Sequence, residues 1–202
     1  MILSAIPMNF AVQAETLVSN DFEVNYDGWC GNADTVQLTA ADFAGWNGTR
    51  GMQVTGRETP QDGAASSKGF YLTGGTAYDY SVRVCSETAE HFRISLLIRD
   101  EDTDAETVTE LISQDVPAGE WTELTAQYTA PRGSYEFLLT ITTDSTNDFT
   151  FDAVKITGTQ PGNAVSAATA EKGLKDEFVN YFRILHNISS SLSRASFSSS
   201  MS

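Results

Sequence analysis

The sequence predicts an all-β domain of the β-sandwich or jelly-roll kind, followed by a short C-terminal helix and a disordered tail. Three observations carry this. The first is strict period-two alternation in two central stretches. Tyr78, Tyr80, Val82 and Val84 alternate with Asp79, Ser81 and Arg83, and Phe92, Ile94, Leu96 and Ile98 share one face of the next stretch. Alternation places one set on a buried face and the other on a solvated face. The second is a turn signal roughly every ten residues, as short antiparallel strands require. The third is the lack of any helical periodicity before residue 160.

In chain order, a short strand is expected around Leu17 and Phe22, then a turn at Asp27-Gly28 before Trp29. Asp34–Thr39 and Gly51–Thr55 read as strands, separated by a loop that carries Trp46 and the Asn47-Gly48 turn signal. Residues 57–68 are polar, with Pro60 and Gly63, and read as loop; residues 69–72 are apolar and are expected to be buried. The two alternating strands over 77–85 and 90–99 follow, then an acidic turn over 100–106. Strands are predicted over 108–116, 121–129 and 135–142, with turns at Pro117-Ala118-Gly119-Glu120 and Pro131-Arg132-Gly133. The last strand lies in Asn147–Gly158. Phe149 and Phe151 alternate there, and after Asp152 the apolar register shifts to Val154 and Ile156, as a bulge makes it do. The total is roughly nine or ten strands, typical of a sandwich.

The 202 residues suffice for one such domain, assigned to residues 15–158, plus tails. Hydrophobic residues make up 41% and charged residues 19%, the balance of a folded chain. The formal charge of −15 excludes nucleic acid as a partner, because that affinity rests on Lys/Arg contacts to phosphate. No apolar run reaches the length of a membrane span, and a monomer is expected. Residues 1–14 are apolar and end in Val12-Gln13-Ala14. They read as the remnant of a signal peptide cleaved after Ala14, which makes the chain secreted. Cys30 and Cys85 allow either a disulfide or two buried thiols. Residues 159–169 are rich in small residues and read as a linker. In 170–188, Leu174, Phe178 and Tyr181 or Phe182 share a helical face. Nine of the fourteen residues in 189–202 are serine, too polar a tail to bury a core.

Several motifs then add an identity to this outline. They are Asn20-Asp21-Phe22-Glu23, Asp27-Gly28-Trp29, Gly48-Thr49-Arg50-Gly51-Met52, Val54-Thr55-Gly56-Arg57, Gly119-Glu120-Trp121-Thr122 and Phe149-Thr150-Phe151-Asp152-Ala153-Val154. In this order and spacing, residues 20–158 resemble a family 22 carbohydrate-binding module, a β-sandwich found beside xylanases. Residues 173–184 resemble the start of the catalytic domain of a family 10 glycoside hydrolase, in which Phe182-Arg183-Ile184 would open the first barrel strand. Leu185-His186-Asn187-Ile188 and the serine tail depart from that family, and a barrel needs about 200 residues or more. The chain as it stands is therefore expected to be non-catalytic, an N-terminal piece of a xylanase.

The resemblance implies two sites. One is a structural calcium ion held by the carboxylates of Glu23 and Asp152 and by backbone carbonyls near Asp21 and Arg50. The other is a xylan groove on one sheet face, where aromatic rings stack on sugars and polar groups bond hydroxyls. Most of the family's groove residues do not carry over. The loop from Glu58 to Gly63 has no aromatic, the groove tyrosine falls at Ile98, a late Tyr-x-Glu becomes Thr140-Ile141-Thr142, and no arginine lies near Cys30-Gly31-Asn32. The remaining candidates for carbohydrate are Trp46, Tyr80, Arg83 and Arg99, with Tyr78 behind them. The tyrosines also fit a plain core role, and the arginines fit solvated charges. The expected partners are xylan, or a related polysaccharide, and an adjoining hydrolase domain. The alternative function is a structural module that has lost its groove and packs on that domain.

Overall fold

The alternation in the sequence becomes two stacked antiparallel sheets in the computed structural model, which describes residues 14–67 and 69–159. All but Ala14 of the expected leader of residues 1–14, all but Thr159 of the linker of 159–169, the hydrolase-like stub of 170–188 with its helix over 170–182, and the serine-rich tail lie outside the described residues.

Twelve strands are present among the described residues: β1 Ala14–Asn20, β2 Trp29–Gly31, β3 Gln37–Ala41, β4 Gly51–Thr55, β5 Ala64–Ser66, β6 Phe70–Tyr71, β7 Ala77–Cys85, β8 Glu90–Asp100, β9 Glu106–Val116, β10 Thr122–Thr129, β11 Tyr135–Thr143 and β12 Phe149–Thr159. The first sheet runs β10-β7-β12-β4-β3, with β1 also beside β12. The second runs β2-β5-β11-β8-β9, with β6 also beside β11. The only helical element described is a 3-10 turn over Trp46–Gly48. Two strands fall where loop or turn was expected, β2 and β5, which pair with each other.

The inner faces interdigitate as sandwich sheets do. Val82, Val84, Phe92, Ile94, Leu96, Leu124, Phe137, Leu139 and Ile141 are buried in one cluster. At one end Phe22 meets the Phe151 ring edge-on at 5.2 Å, and Trp29 lies 4.8 Å from Phe151. Trp29 is fixed further by its indole N–H, which donates to Asn20 Oδ1 at 3.2 Å. The expected bulge is present. The register of β12 on β7 shifts between Asp152 and Lys155, and Ala153 sits at φ 50°. The extra residue lets Phe149 and Phe151 face inward before it and Val154 and Ile156 after it. It leaves Asp152 on the other side of the sheet.

Cys30 lies in β2 of the second sheet and Cys85 in β7 of the first, both partly exposed and both as thiols. Each neighbours an inward-facing residue, Trp29 or Val84, so the two cysteines occupy opposite outer faces. The disulfide alternative is thereby excluded.

A buried carboxylate ties the turn after β7 to the turn before β12. Glu90 accepts hydrogen bonds from Asn147 Nδ2 at 2.6 Å, Ser145 Oγ at 2.7 Å and Thr88 Oγ1 at 2.9 Å. Burial alone pushes the Glu90 carboxyl up, but these donors, with Thr143, outweigh it and hold the group below its ordinary 4.5. A carboxylate depressed in the folded state stabilises fully above its unfolded value and loses that contribution as pH falls through the folded one. Melting temperature followed from about pH 6 to about pH 3 should fall more steeply in the native chain than in Glu90→Gln. Parallel curves would exclude the contribution.

Candidate functional site

The bulge at Ala153 turns Asp152 toward the loops of residues 21–27 and 42–50, and these form a hub. Asp152 is only 3% exposed. Its Oδ2 accepts the Trp46 N–H at 2.9 Å and the Thr49 hydroxyl at 3.2 Å, and its Oδ1 accepts the Ala153 N–H at 2.6 Å. Glu23 Oε1 accepts the Arg50 N–H at 2.9 Å, so the first loop is tied to the second. The Arg50 side chain turns away, to the Ala40 carbonyl at 3.2 Å and the Asp42 carboxylate at 3.2 Å. Asp21 Oδ1 accepts the Glu23 N–H at 3.3 Å, closing a small turn of its own.

Gly45 shows how tightly oxygens converge here. A Cβ built on it would lie 2.5 Å from the Arg50 carbonyl oxygen and 2.7 Å from Asp152 Oδ2. Two oxygens from distant parts of the chain thus face one small space that only glycine leaves open. Burial pushes the Asp152 carboxyl up; hydrogen bonds from Ala153, Trp46 and Thr49 pull it down; and the Glu23 charge pushes it up again. The net direction is upward from 3.8. No group of three His, Cys, Asp or Glu side chains suited to a metal occurs among the described residues. Asp152 Oδ2 and the Arg50 carbonyl converge at Gly45, and the Glu23 carboxylate is near enough for its charge to act on Asp152. That mixture suits a hard cation such as calcium, which takes backbone oxygens as readily as carboxylates, and suits a soft metal poorly.

Two of the carbohydrate candidates meet beside this hub. Trp46 is 36% exposed, and the Arg83 guanidinium lies over its ring at 3.8 Å, a cation–π contact. Arg83 is held in turn by Glu123 at 2.8 Å. The other candidates are elsewhere. Arg99 lies on the outer face of the second sheet, paired with Asp104 at 3.0 Å. Tyr80 is 3% exposed and points between the sheets, with its hydroxyl buried without a hydrogen bond; burial pushes its phenol well above 10. It is a core residue, because it takes the inward register of β7, and it is not a surface contact. Tyr78 is core as well, its hydroxyl accepting the Thr73 N–H at 2.8 Å. Ile98 is also buried, so it cannot hold a groove position; its outward-facing neighbours are Leu97 and Arg99.

The sequence reading missed Gly45 and Thr49 as parts of the hub. The only signal was the run of small residues around Trp46, since their partner Asp152 is more than a hundred positions away. It also missed Phe43, 87% exposed at φ 63°, and Val24 and Tyr26, exposed on the other hub loop.

With this geometry in place, comparison with known proteins is specific. The family model described as a carbohydrate binding domain matches residues 14–148. Endo-1,4-beta-xylanase Y of Acetivibrio thermocellus is 48% identical over 172 residues, covering 83% of this chain and 16% of that protein. Endo-1,4-beta-xylanase A of Thermotoga neapolitana is 27% identical over 179 residues, covering 84% of this chain and 17% of that protein. The chain thus spans only 16–17% of the length of these relatives. Among solved structures, the CBM22-1–GH10 modules of Clostridium thermocellum endo-1,4-beta-D-xylanase 10B, complexed with xylohexaose, match with a TM-score of 0.68 at 48% identity. That match covers 72% of this chain and 29% of the other. The CBM22-1 xylan-binding domain of Paenibacillus barcinonensis Xyn10C matches with a TM-score of 0.64 at 18% identity, covering 75% and 99% of the two chains. At that identity the second likeness speaks for the sandwich fold alone.

Proposed function

The chain belongs to the carbohydrate binding domain family, and from that premise we propose that its sandwich is a non-catalytic module that binds xylan. The observation that carries the reading is the 48% identity to a xylanase over a stretch that takes in the sandwich. The acidic charge favours an uncharged polymer over a polyanion, and Trp46 supplies an exposed ring on a fixed backbone. In this reading the chain is the N-terminal part of a secreted xylanase, residues 1–14 are its leader, and the hydrolase lies beyond it. The chain itself hydrolyses nothing. Glu23, Asp152 and the carbonyls near Asp21 and Arg50 hold a structural calcium ion. When bound, the ion supplies positive charge between two carboxylates; the chain's part is to bring the three segments together.

Electrophoresis of the full chain through gels containing soluble xylan tests this. Retardation relative to a xylan-free gel is the expected result. One observation favours a second reading, a module that packs on the hydrolase: Phe43, Val24 and Tyr26 are exposed on loops joined through Glu23 and Arg50. Unretarded migration, with a higher melting temperature when the chain is fused to the catalytic domain, would favour that reading.

A further inference from the structure

Two arginines stand at the hub, and each holds its charge away from the hub's carboxylates. Arg50 gives its backbone N–H to Glu23, but its guanidinium lies against the Ala40 carbonyl and the Asp42 carboxylate. Arg83 is the other. The register of β12 on β7 sets it directly across from Asp152, on the same outer face. Directly opposed side chains have Cβ atoms about 4.5–5.5 Å apart, well within the reach of an arginine. The guanidinium nonetheless turns the other way. It bonds Glu123, its neighbour on β10, at 2.8 Å, and the Trp46 ring lies over it at 3.8 Å. Among the described residues, no cationic side chain lies within ion-pair distance of Asp152 or Glu23.

That is not the usual state of a buried carboxylate. Asp152 is buried and feels the Glu23 charge, and buried charges are ordinarily paired. An arginine directly across the ladder is the nearest partner the sequence offers it. Two contacts divert that arginine, the Glu123 carboxylate and the indole face. The turn that carries the indole is fixed in place. The Trp46 N–H is bonded to Asp152 Oδ2, the Gly45 N–H donates to the Thr49 carbonyl at 2.8 Å, and Asn47 and Gly48 take left-handed conformations at φ 58° and 76°. The carboxylate without a cation thus anchors the ring that helps keep the arginine off it.

We infer that Glu123 is a positioning residue for the calcium site: with the Trp46 ring it parks Arg83 and so reserves Asp152 for a metal ion. The inference rests on the calcium reading. A guanidinium on Asp152 would neutralise one of the two carboxylates and set a like charge beside an arriving cation. A positive group within about 4–6 Å of a carboxylate weakens its hold on a proton by about tenfold or more, and a divalent cation competing for the same oxygens is repelled more strongly than a proton. Glu123 suits the task by its place. It lies on β10, the edge strand, one strand further from Asp152, and it is half-exposed, so its bond to Arg83 buries no extra charge.

Calcium chloride titrated into the metal-stripped full chain, read by calorimetry and by melting temperature, tests this. Glu123→Ala removes the acceptor at an outward position of an edge strand. It should weaken calcium binding about tenfold and leave the metal-free melting temperature nearly unchanged, since an exposed ion pair contributes little stability. Arg83→Gln alone should stay within about twofold of the native chain, because the charge it removes is already diverted. Glu123→Ala combined with Arg83→Gln should return to the native affinity, since no arginine is left to swing across. A long-range effect of charge alone would instead make the two single changes equal and opposite. Asp79→Asn removes one negative charge from the same sheet face and frees no arginine, so it should leave the affinity unchanged. Equal calcium affinity in Glu123→Ala and the native chain, or a loss that Arg83→Gln does not reverse, would overturn the role of Glu123 and leave the calcium reading standing. Neither heat nor a melting shift with calcium in the native chain would overturn both.

Discussion

Replacing Arg57 with alanine should destabilise the module by about 3–5 kcal/mol, because several buried carbonyls lose a charged donor together. Arg57 is 6% exposed and stands just past the end of β4. Its Nε donates to the Asp62 carbonyl at 2.7 Å, and Nη1 donates to Thr143 Oγ1 at 2.8 Å and the Asn147 carbonyl at 2.6 Å. Nη2 reaches the Ser145 carbonyl at 2.7 Å and the Pro60 and Thr143 carbonyls at 3.4 Å. The guanidinium also lies over the Phe149 ring at 5.1 Å. One side chain thus satisfies carbonyls from the loop of residues 57–62 and from the turn of residues 143–147 that feeds β12. Burial pushes its pKa down, and the charges of Glu90, Asp62 and Asp148 oppose that. Alanine would leave these carbonyls inside without donors, each at about 1–3 kcal/mol where water cannot enter. Arg57→Lys keeps the charge but has three donors on a point and no planar fork, so it should recover only part of the loss. Urea unfolding followed by tryptophan fluorescence measures both. A loss under about 1 kcal/mol in Arg57→Ala would show that the loops find other partners.

Why Arg57 could not be picked out beforehand is physical. In sequence it is a charged residue entering a polar loop, and such residues are mostly solvated. Its burial is decided by a turn nearly ninety positions away. The same division runs through the fold. β7, β8, β10 and β11 were legible because each is long enough for its two faces to differ in polarity. β2 and β5 have three residues each, too few for alternation, and exist because they pair with each other and β5 with β11. Tyr80 stood both as a sugar candidate and as a core residue for a related reason: alternation tells which residues share a face, and an aromatic residue fits core and groove equally well; the structure makes it core. At the hub, Asp152 was legible through the bulge, since a register shift beside an acid is visible in the chain. The Trp46–Arg83 stack was not, because no periodicity links a loop to the outer register of β7.

Calcium should raise the melting temperature of the native chain, EDTA should lower it, and Asp152→Ala should abolish both responses. A cation at a hundredfold excess over its Kd adds about 2.7 kcal/mol, or about 5–10 °C for a chain of this size. The reason to expect a large share of stability here is the arrangement of charge. Glu23 and Asp152 each accept backbone N–H groups that hold the loops in place, and the Glu23 charge nonetheless works against ionisation of Asp152. Held by Glu23 and Asp152, a divalent ion would offset that repulsion, and the chain's part would be to bring residues 21–23, 45–50 and 152 together. Asp152→Ala should also cost about 2 kcal/mol or more without any metal, because the N–H groups of Trp46 and Ala153 lose their acceptor. Glu23→Gln separates the two effects. Its amide oxygen can still accept the Arg50 N–H, so metal-free stability should change little, while the calcium response should shrink with the lost charge. If Glu23→Gln and the native chain respond alike to calcium, the ion is not held between these two carboxylates.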